Sequence, residues 1–256
     1  MAATGNRNRD RGHGRSHNAA DATSLTPDLP AGFWRRYAAW TLDAVPIAAL
    51  ALSFTSSGIG RRIAALRAAF DALSATMATL MIDGLGSMPS APLLVQPWLR
   101  DPALREGAAT LQSAIGALLL PPLVGFVAVA LVYDVAFERS PWHATPGKRA
   151  LGLAVVDERG RRIKAGHALL RFCAGALSWL TLNLGHAMAA LPPRHLALHD
   201  RISGTRVVRI STDATMPAWA KAWLVLQLCA FVTANAWAFA ALSQTLQAAV
   251  ERALPL

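Results

Sequence analysis

Hydrophobic positions in this chain gather into long runs rather than alternating over its whole length. Residues 107–133 and 222–250 contain no Asp, Glu, Lys or Arg, and residues 172–193 carry no charged side chain beyond His186. Each run exceeds the ~20 residues that an α-helix needs to cross the hydrocarbon layer of a bilayer. A shorter run, 38–54, is interrupted by Asp43 and Pro46. It spans only if Phe33, Trp34 and Tyr37 form an interfacial aromatic belt and Arg35 and Arg36 snorkel towards water. Between the first two runs, Ile63, Leu66, Phe70, Leu73, Met77 and Leu80 recur at steps of three and four. That spacing predicts an amphipathic helix, lying in the interface plane or packed on the bundle. Gly86, Pro89, Pro92 and Pro97 then predict a loop over residues 84–102.

The second span is expected over about residues 111–137, kinked or broken at Pro121-Pro122. Residues 151–160 and 204–210 read as two short strands. Both flanks of the third apolar run, 166–193, are rich in Lys and Arg, which places both on the cytoplasmic side by the positive-inside rule. A single straight crossing would violate that rule, so a re-entrant or helix-hairpin element is expected, broken near Asn183 and Gly185. A fourth membrane helix over 217–250 is anchored at one end by Trp219, Lys221 and Trp223.

The expected fold is therefore an all-α membrane protein: a helical bundle of three to four membrane elements, with a short cytoplasmic β-like hairpin or pair of strands. Residues 1–30 form a basic tail too polar to bury a core, expected to be disordered. Residues 31–210 form the membrane domain, with 57–106 as an insertion, and 217–250 add the last helix.

Composition agrees with the pattern. Hydrophobic residues make up 54% and charged residues only 16% of the 256, against about 25% charged in a soluble domain. The net charge of +10 would suggest nucleic acid in a soluble chain. Here the basic residues crowd beside the apolar runs, so they mark cytoplasmic loops and contacts with anionic lipid, and no nucleic-acid partner is expected. Asp43 splits the first run and a long polar segment precedes it, so that run reads as an uncleaved span rather than a signal peptide. Cys173 and Cys229 lie inside apolar runs and read as buried small apolar residues, not as a disulfide.

Asp43 is the sharpest chemical signal. An ionisable carboxyl at membrane depth costs about 2.5 to 3.5 kcal/mol, so it needs a partner or a wet face. Arg36 lies seven residues earlier, two helical turns away on the same stripe and roughly 10 Å along the axis. The pair reads either as a proton or alkali-cation site or as an interhelical structural charge pair. His195 and His199 would share a face in a helix, and His13 and His17 have similar spacing, but neither pair has a third ligand, so no metal is expected. Thr145-Pro-Gly-Lys148 lacks the spacing of a phosphate loop. No nucleophile elbow, zinc-protease helix or dinucleotide fingerprint occurs, and no enzymatic activity or cofactor is expected.

Three motifs occur in order: Gly32-Phe-Trp-Arg-Arg36 with Asp43, Thr145-Pro-Gly-Lys-Arg-Ala-Leu-Gly-Leu153, and Leu198-His-Asp-Arg-Ile-Ser-Gly-Thr-Arg-Val-Val208. Together they resemble the RDD family of multi-pass membrane proteins, named for one arginine and two aspartates. The resemblance covers residues 32–56 and 107–209. It implies Arg36, Asp43 and Asp200 as the three named residues, with Thr145, Pro146, Gly147, Lys148 and His199 as their supporting loops. Asp200 is expected to cap or pair with the 145–149 loop. The chain departs from the family in the wide 57–106 separation and in its terminal helix. The family is linked in part to sodium/proton antiport, which implies an ion-coupled cation or proton transporter, or a subunit of one. The alternative is a non-transporting membrane scaffold or accessory protein that recruits partners. Membrane lipids, further copies of this chain or other membrane proteins are the expected partners. The expected location is the cell inner membrane, with a cytoplasmic N-terminus.

Overall fold

The computed structural model describes residues 30–86, 100–211, 213 and 215–253. The expected disorder of residues 1–29 and the central part of the loop, 87–99, fall outside them.

Helix α1 spans Phe33–Thr55 and continues unbroken through Pro46. Ser56, Ser57 and Gly58 interrupt the chain, Gly58 adopting a φ of +76°, and α2 follows over Ile59–Gly86. Helix α3, Pro102–Glu138, is 37 residues long. Asp101 caps it by accepting from the Leu104 amide at 2.9 Å, with Pro102 in the first turn where its missing N–H is harmless. The kink expected at Pro121-Pro122 does not appear as a break, because α3 runs on through both prolines. Two missing N–H groups cost two hydrogen bonds, whereas opening the helix in an apolar layer would strand many more.

The predicted amphipathic helix does not lie alone. Helices α1 and α2 follow one another along α3, in the opposite direction. Tyr133 meets Asp43, Gly125 lies against Ala51 and Thr55, and Gly107 lies against Leu73.

After α3 come the short helix α4, Pro146–Ala150, and strand β1, Leu153–Asp157. Helix α5, Ala165–Leu180, bends by 113° into α6, Leu184–Ala187, and a 3-10 turn, Met188–Ala190. The break falls where expected: Leu182 and Asn183 take positive φ values of 52° and 65°. Helix α7, Leu198–Ser203, ends on Gly204 at φ +60° and leads into β2, Thr205–Arg209. The left-handed residue suits glycine and closes the helix. β1 and β2 pair antiparallel with Val155 opposite Val207, so the strands form a pair rather than a hairpin. Helix α8 covers Ala218–Ala253.

The densest core sits at the strand end, where Ala31, Ala38, Ala39, Leu151, Leu153, Val155, Ile163 and Val207 come together. By contrast, Val124 of α3 is 64% exposed and Phe231 and Trp237 of α8 are 66% and 74% exposed. Apolar faces of that extent are stable only against lipid or another apolar partner. By length and composition, α1, α2, α3 and α8 are each long and apolar enough to cross a membrane, and the bent α5–α6 pair has the form of a broken span or re-entrant loop. The protein is thus an all-α membrane protein carrying one short antiparallel strand pair. One detail is corrected: Cys173 and Cys229 are free and exposed on α5 and α8, not buried. A helix face turned to lipid is as hospitable to a small apolar side chain as a protein core.

Candidate functional site

Two buried carboxylates organise the strand end of the bundle. Asp43, inside α1, is almost fully buried. Its carboxylate accepts from the Tyr133 hydroxyl of α3 at 2.8 Å, from the Thr145 hydroxyl at 2.5 Å and from the Gly147 amide at 2.7 Å. Thr145 is also the N-cap of α4, and Pro146 starts that helix. The resulting turn offers its free amides to an anion, as helix N-termini do. The loop that superficially looks like a phosphate cradle therefore holds a carboxylate of its own chain. Gly147 has to be glycine here: a Cβ would come within 2.3 Å of the Ala39 carbonyl and 2.8 Å of the Asp43 carboxylate.

Asp200 is fully buried at the start of α7. Arg36 donates to it at 2.5 Å, the Ala197 amide at 2.9 Å, and Arg171 of α5 makes a direct ion pair with its other oxygen. Arg36 is further fixed by the carbonyls of Ala31 and His195 at 3.0 and 2.9 Å. Arg171 donates to the Thr205 hydroxyl at 3.0 Å and lies 3.5 Å from Glu138, which takes Lys148 at 2.6 Å. One continuous chain of charges results: Arg36 of α1, Asp200 of α7, Arg171 of α5, Glu138 of α3, Lys148 of α4. Burial alone pushes the Asp200 carboxyl up, but the Arg171 and Arg36 guanidiniums outweigh it and hold it well below the usual carboxylate range. Burial pushes Lys148 down, and Glu138 and Asp134 more than reverse that. His199, 3.4 Å from Asp200, is driven well below the usual histidine range by burial and by Arg171. It therefore touches Asp200 as a neutral ring rather than as an ion-pair partner.

The structure brings Arg36, Asp43 and Asp200 to one end of the bundle but joins them differently from the expectation. Arg36 does not serve Asp43 along their shared stripe; it turns to Asp200. Asp200 does not hold the 145–149 loop; Asp43 does. A side chain on one helix reaches across to another element more easily than it reaches two turns along its own axis, and the packing supplies those elements. His195 precedes α7, so it shares no helix face with His199, and among the described residues no three His, Cys, Asp or Glu side chains are grouped to hold a metal. Arg171, Glu138 and Tyr133 were missed. A lone arginine just inside an apolar run, and carboxyls spaced four apart at a span's end (Asp134, Glu138), were the available signals.

Long lipid-exposed helices around a buried charge network at one end define a multi-pass integral membrane protein. The chain belongs to the RDD family, whose family model matches residues 30–204. It is also similar to the uncharacterized protein YxaI of Bacillus subtilis (strain 168), with 35% identity over 89 residues. That stretch covers 35% of this chain and 58% of that protein, so less than two thirds of the relative's length is matched. No solved structure matches.

Proposed function

We propose that this protein is a membrane scaffold or accessory subunit, in which the charge network clamps the strand module in one fixed pose on the helices. The observation that carries this reading is the mutual satisfaction of the buried charges across different elements. Asp200 has two guanidiniums and a backbone amide, and both oxygens of Asp43 are occupied by donors from α3 and the 145–147 turn. A carboxylate that exchanges ions needs a partner it can release, whereas a buried pair that loses one member leaves the other stranded. The module so held presents Arg159, Arg161, Arg162 and Lys164 around its turn, with Arg139, Arg149, Arg194 and Arg201 nearby in sequence. These support a cytoplasmic strand end, a cytoplasmic N-terminus and an inner-membrane location by the positive-inside rule. The exposed apolar faces of α3 and α8 are where lipids, other membrane proteins or further copies of the chain would dock.

Ion-coupled transport is the second reading. It is favoured by the proximity of Asp134, Glu138, Lys148, Arg171 and Asp200, a run of ionisable groups of the kind used in proton relays. Proteoliposome flux of protons against sodium and potassium separates the two. The clamp expects purified wild type to give no flux above empty liposomes. Wild-type flux that disappears in an Asp43→Asn protein of unchanged oligomeric state overturns it.

A further inference from the structure

The three longest helical paths in this protein are too long for one bilayer, and they change character at the same height. Helix α3, with 37 residues, is about 55 Å long at 1.5 Å per residue. The hydrocarbon layer is about 30 Å thick, and fitting α3 inside it would require a tilt of about 57°, beyond the observed range of 0–40°. Contacts along α3 fix the heights of its partners. Asp43 meets Tyr133, Ala51 and Thr55 meet Gly125, and Leu73 meets Gly107. Helix α2 therefore does not turn back beside α1. It continues α1 onward along α3, past the break at Ser57 and Gly58. That break, with Arg61 and Arg62 beside it, faces Ala114 and Ala117 of α3 across a cavity of about 200 Å³.

Polarity switches at this height on all three paths. On α3, residues 117–132 carry no polar side chain, whereas Arg105, Glu106, Thr110, Gln112 and Ser113 lie on the far side. Helix α1 carries no polar side chain over 44–52; Ser53, Thr55, Ser56 and Ser57 then lead into the break, and Arg61, Arg62, Arg67, Asp71 and Asp83 follow it. Helix α8 runs with α1, since Trp223 and Gln227 both donate to Thr41. Thr41 to Ser57 is sixteen residues, and sixteen residues beyond Gln227 is Ser243. There Ser243, Gln244, Thr245 and Gln247 cluster after a stretch, 228–242, whose polar side chains are Thr233 and Asn235, the latter turned back to the Phe231 carbonyl. Beyond the switch, Ala69, Ser74 and Ala78 of α2 and Ala249 of α8 are buried, a small-residue core that lets the helices approach closely.

We infer that the Ser57–Gly58 break marks the membrane surface opposite the strands, and that α2, the first turns of α3 and the last turns of α8 form an extramembrane three-helix stalk. The stalk projects about 20 Å beyond the hydrocarbon layer, the length of α3 before residue 115. Arg61 and Arg62 stand at its base, at headgroup height, where guanidiniums are well solvated. Helix α2 is thus a length-and-composition match to a span that the packing places outside the membrane.

Single cysteines in a Cys173→Ser, Cys229→Ser background test this in sealed vesicles of both orientations, using a membrane-impermeant maleimide. Thr79→Cys, Thr110→Cys and Gln247→Cys are expected to react from the face opposite Arg159→Cys, while Val124→Cys reacts only after detergent is added. Reaction of all five in detergent shows that each variant is present and intact. A Thr79→Cys protein that stays unreactive until detergent, or that reacts from the same face as Arg159→Cys, overturns the stalk.

Discussion

Asp200→Asn is the perturbation that most directly weighs the clamp. The side chain is nearly isosteric, so packing is retained and the change is electrostatic. Native Asp200 accepts from Arg36, Arg171 and the Ala197 amide, all from groups that are themselves largely buried. An asparagine keeps one oxygen and turns an NH2 towards a guanidinium, so one arginine loses its acceptor and faces a donor instead. Removing one partner of a buried ion pair costs about 3–5 kcal/mol. For a chain of this size each kcal/mol moves the unfolding midpoint by about 2–4 °C, so the shift should fall in the range of about 6–20 °C. The assay is the fraction of monodisperse protein remaining after a heat challenge in mild detergent, read by size-exclusion chromatography. Adding Arg36→Gln should recover part of the loss, because the double variant removes a charge together with its counter-charge and the two residues are in contact. An Asp200→Asn protein that loses less than about 1 kcal/mol, within the range of ordinary surface changes, would refute the reasoning.

Gly147→Ala should cost more than its single methyl suggests, about 2 kcal/mol or more, because its Cβ would collide with the Ala39 carbonyl and the Asp43 carboxylate; Gly166→Ala, with nothing near its Cβ, is the control in the same heat challenge. The depressed His199 predicts a pH response. The folded state binds a proton there less readily than the unfolded chain, so stability is full above about pH 6.5 and declines as pH falls below it, by at most about 1.4 kcal/mol per unit. His199→Gln should flatten that decline between pH 7 and 5. Asp200, held low, contributes fully above about pH 3.9 and loses its share only in stronger acid, so a decline already present above pH 7 would contradict both assignments.

Much of this molecule was readable from its residues in order. Runs free of charge over 107–133 and 222–250 announced membrane helices, because hydrocarbon tolerates no unpaired charge. The three-four spacing from Ile63 to Leu80 announced α2, and the basic flanks with Asn183 announced the bend after α5. Three motifs marked Arg36, Asp43 and Asp200 as the residues to watch. What order along the chain does not encode is which charge meets which. Arg36 and Asp43 share a stripe and still part company, because Asp200 arrives from α7 and the 145–147 turn from after α3. Arg171 matters only because packing sets it between Asp200 and Glu138, 29 and 33 positions away in the chain. The length of α3 against the bilayer, and the direction α2 takes along it, are likewise settled by tertiary contacts. Periodicity and hydropathy report a helix's environment one face at a time, whereas a height in the membrane and a charge pairing are relations between elements.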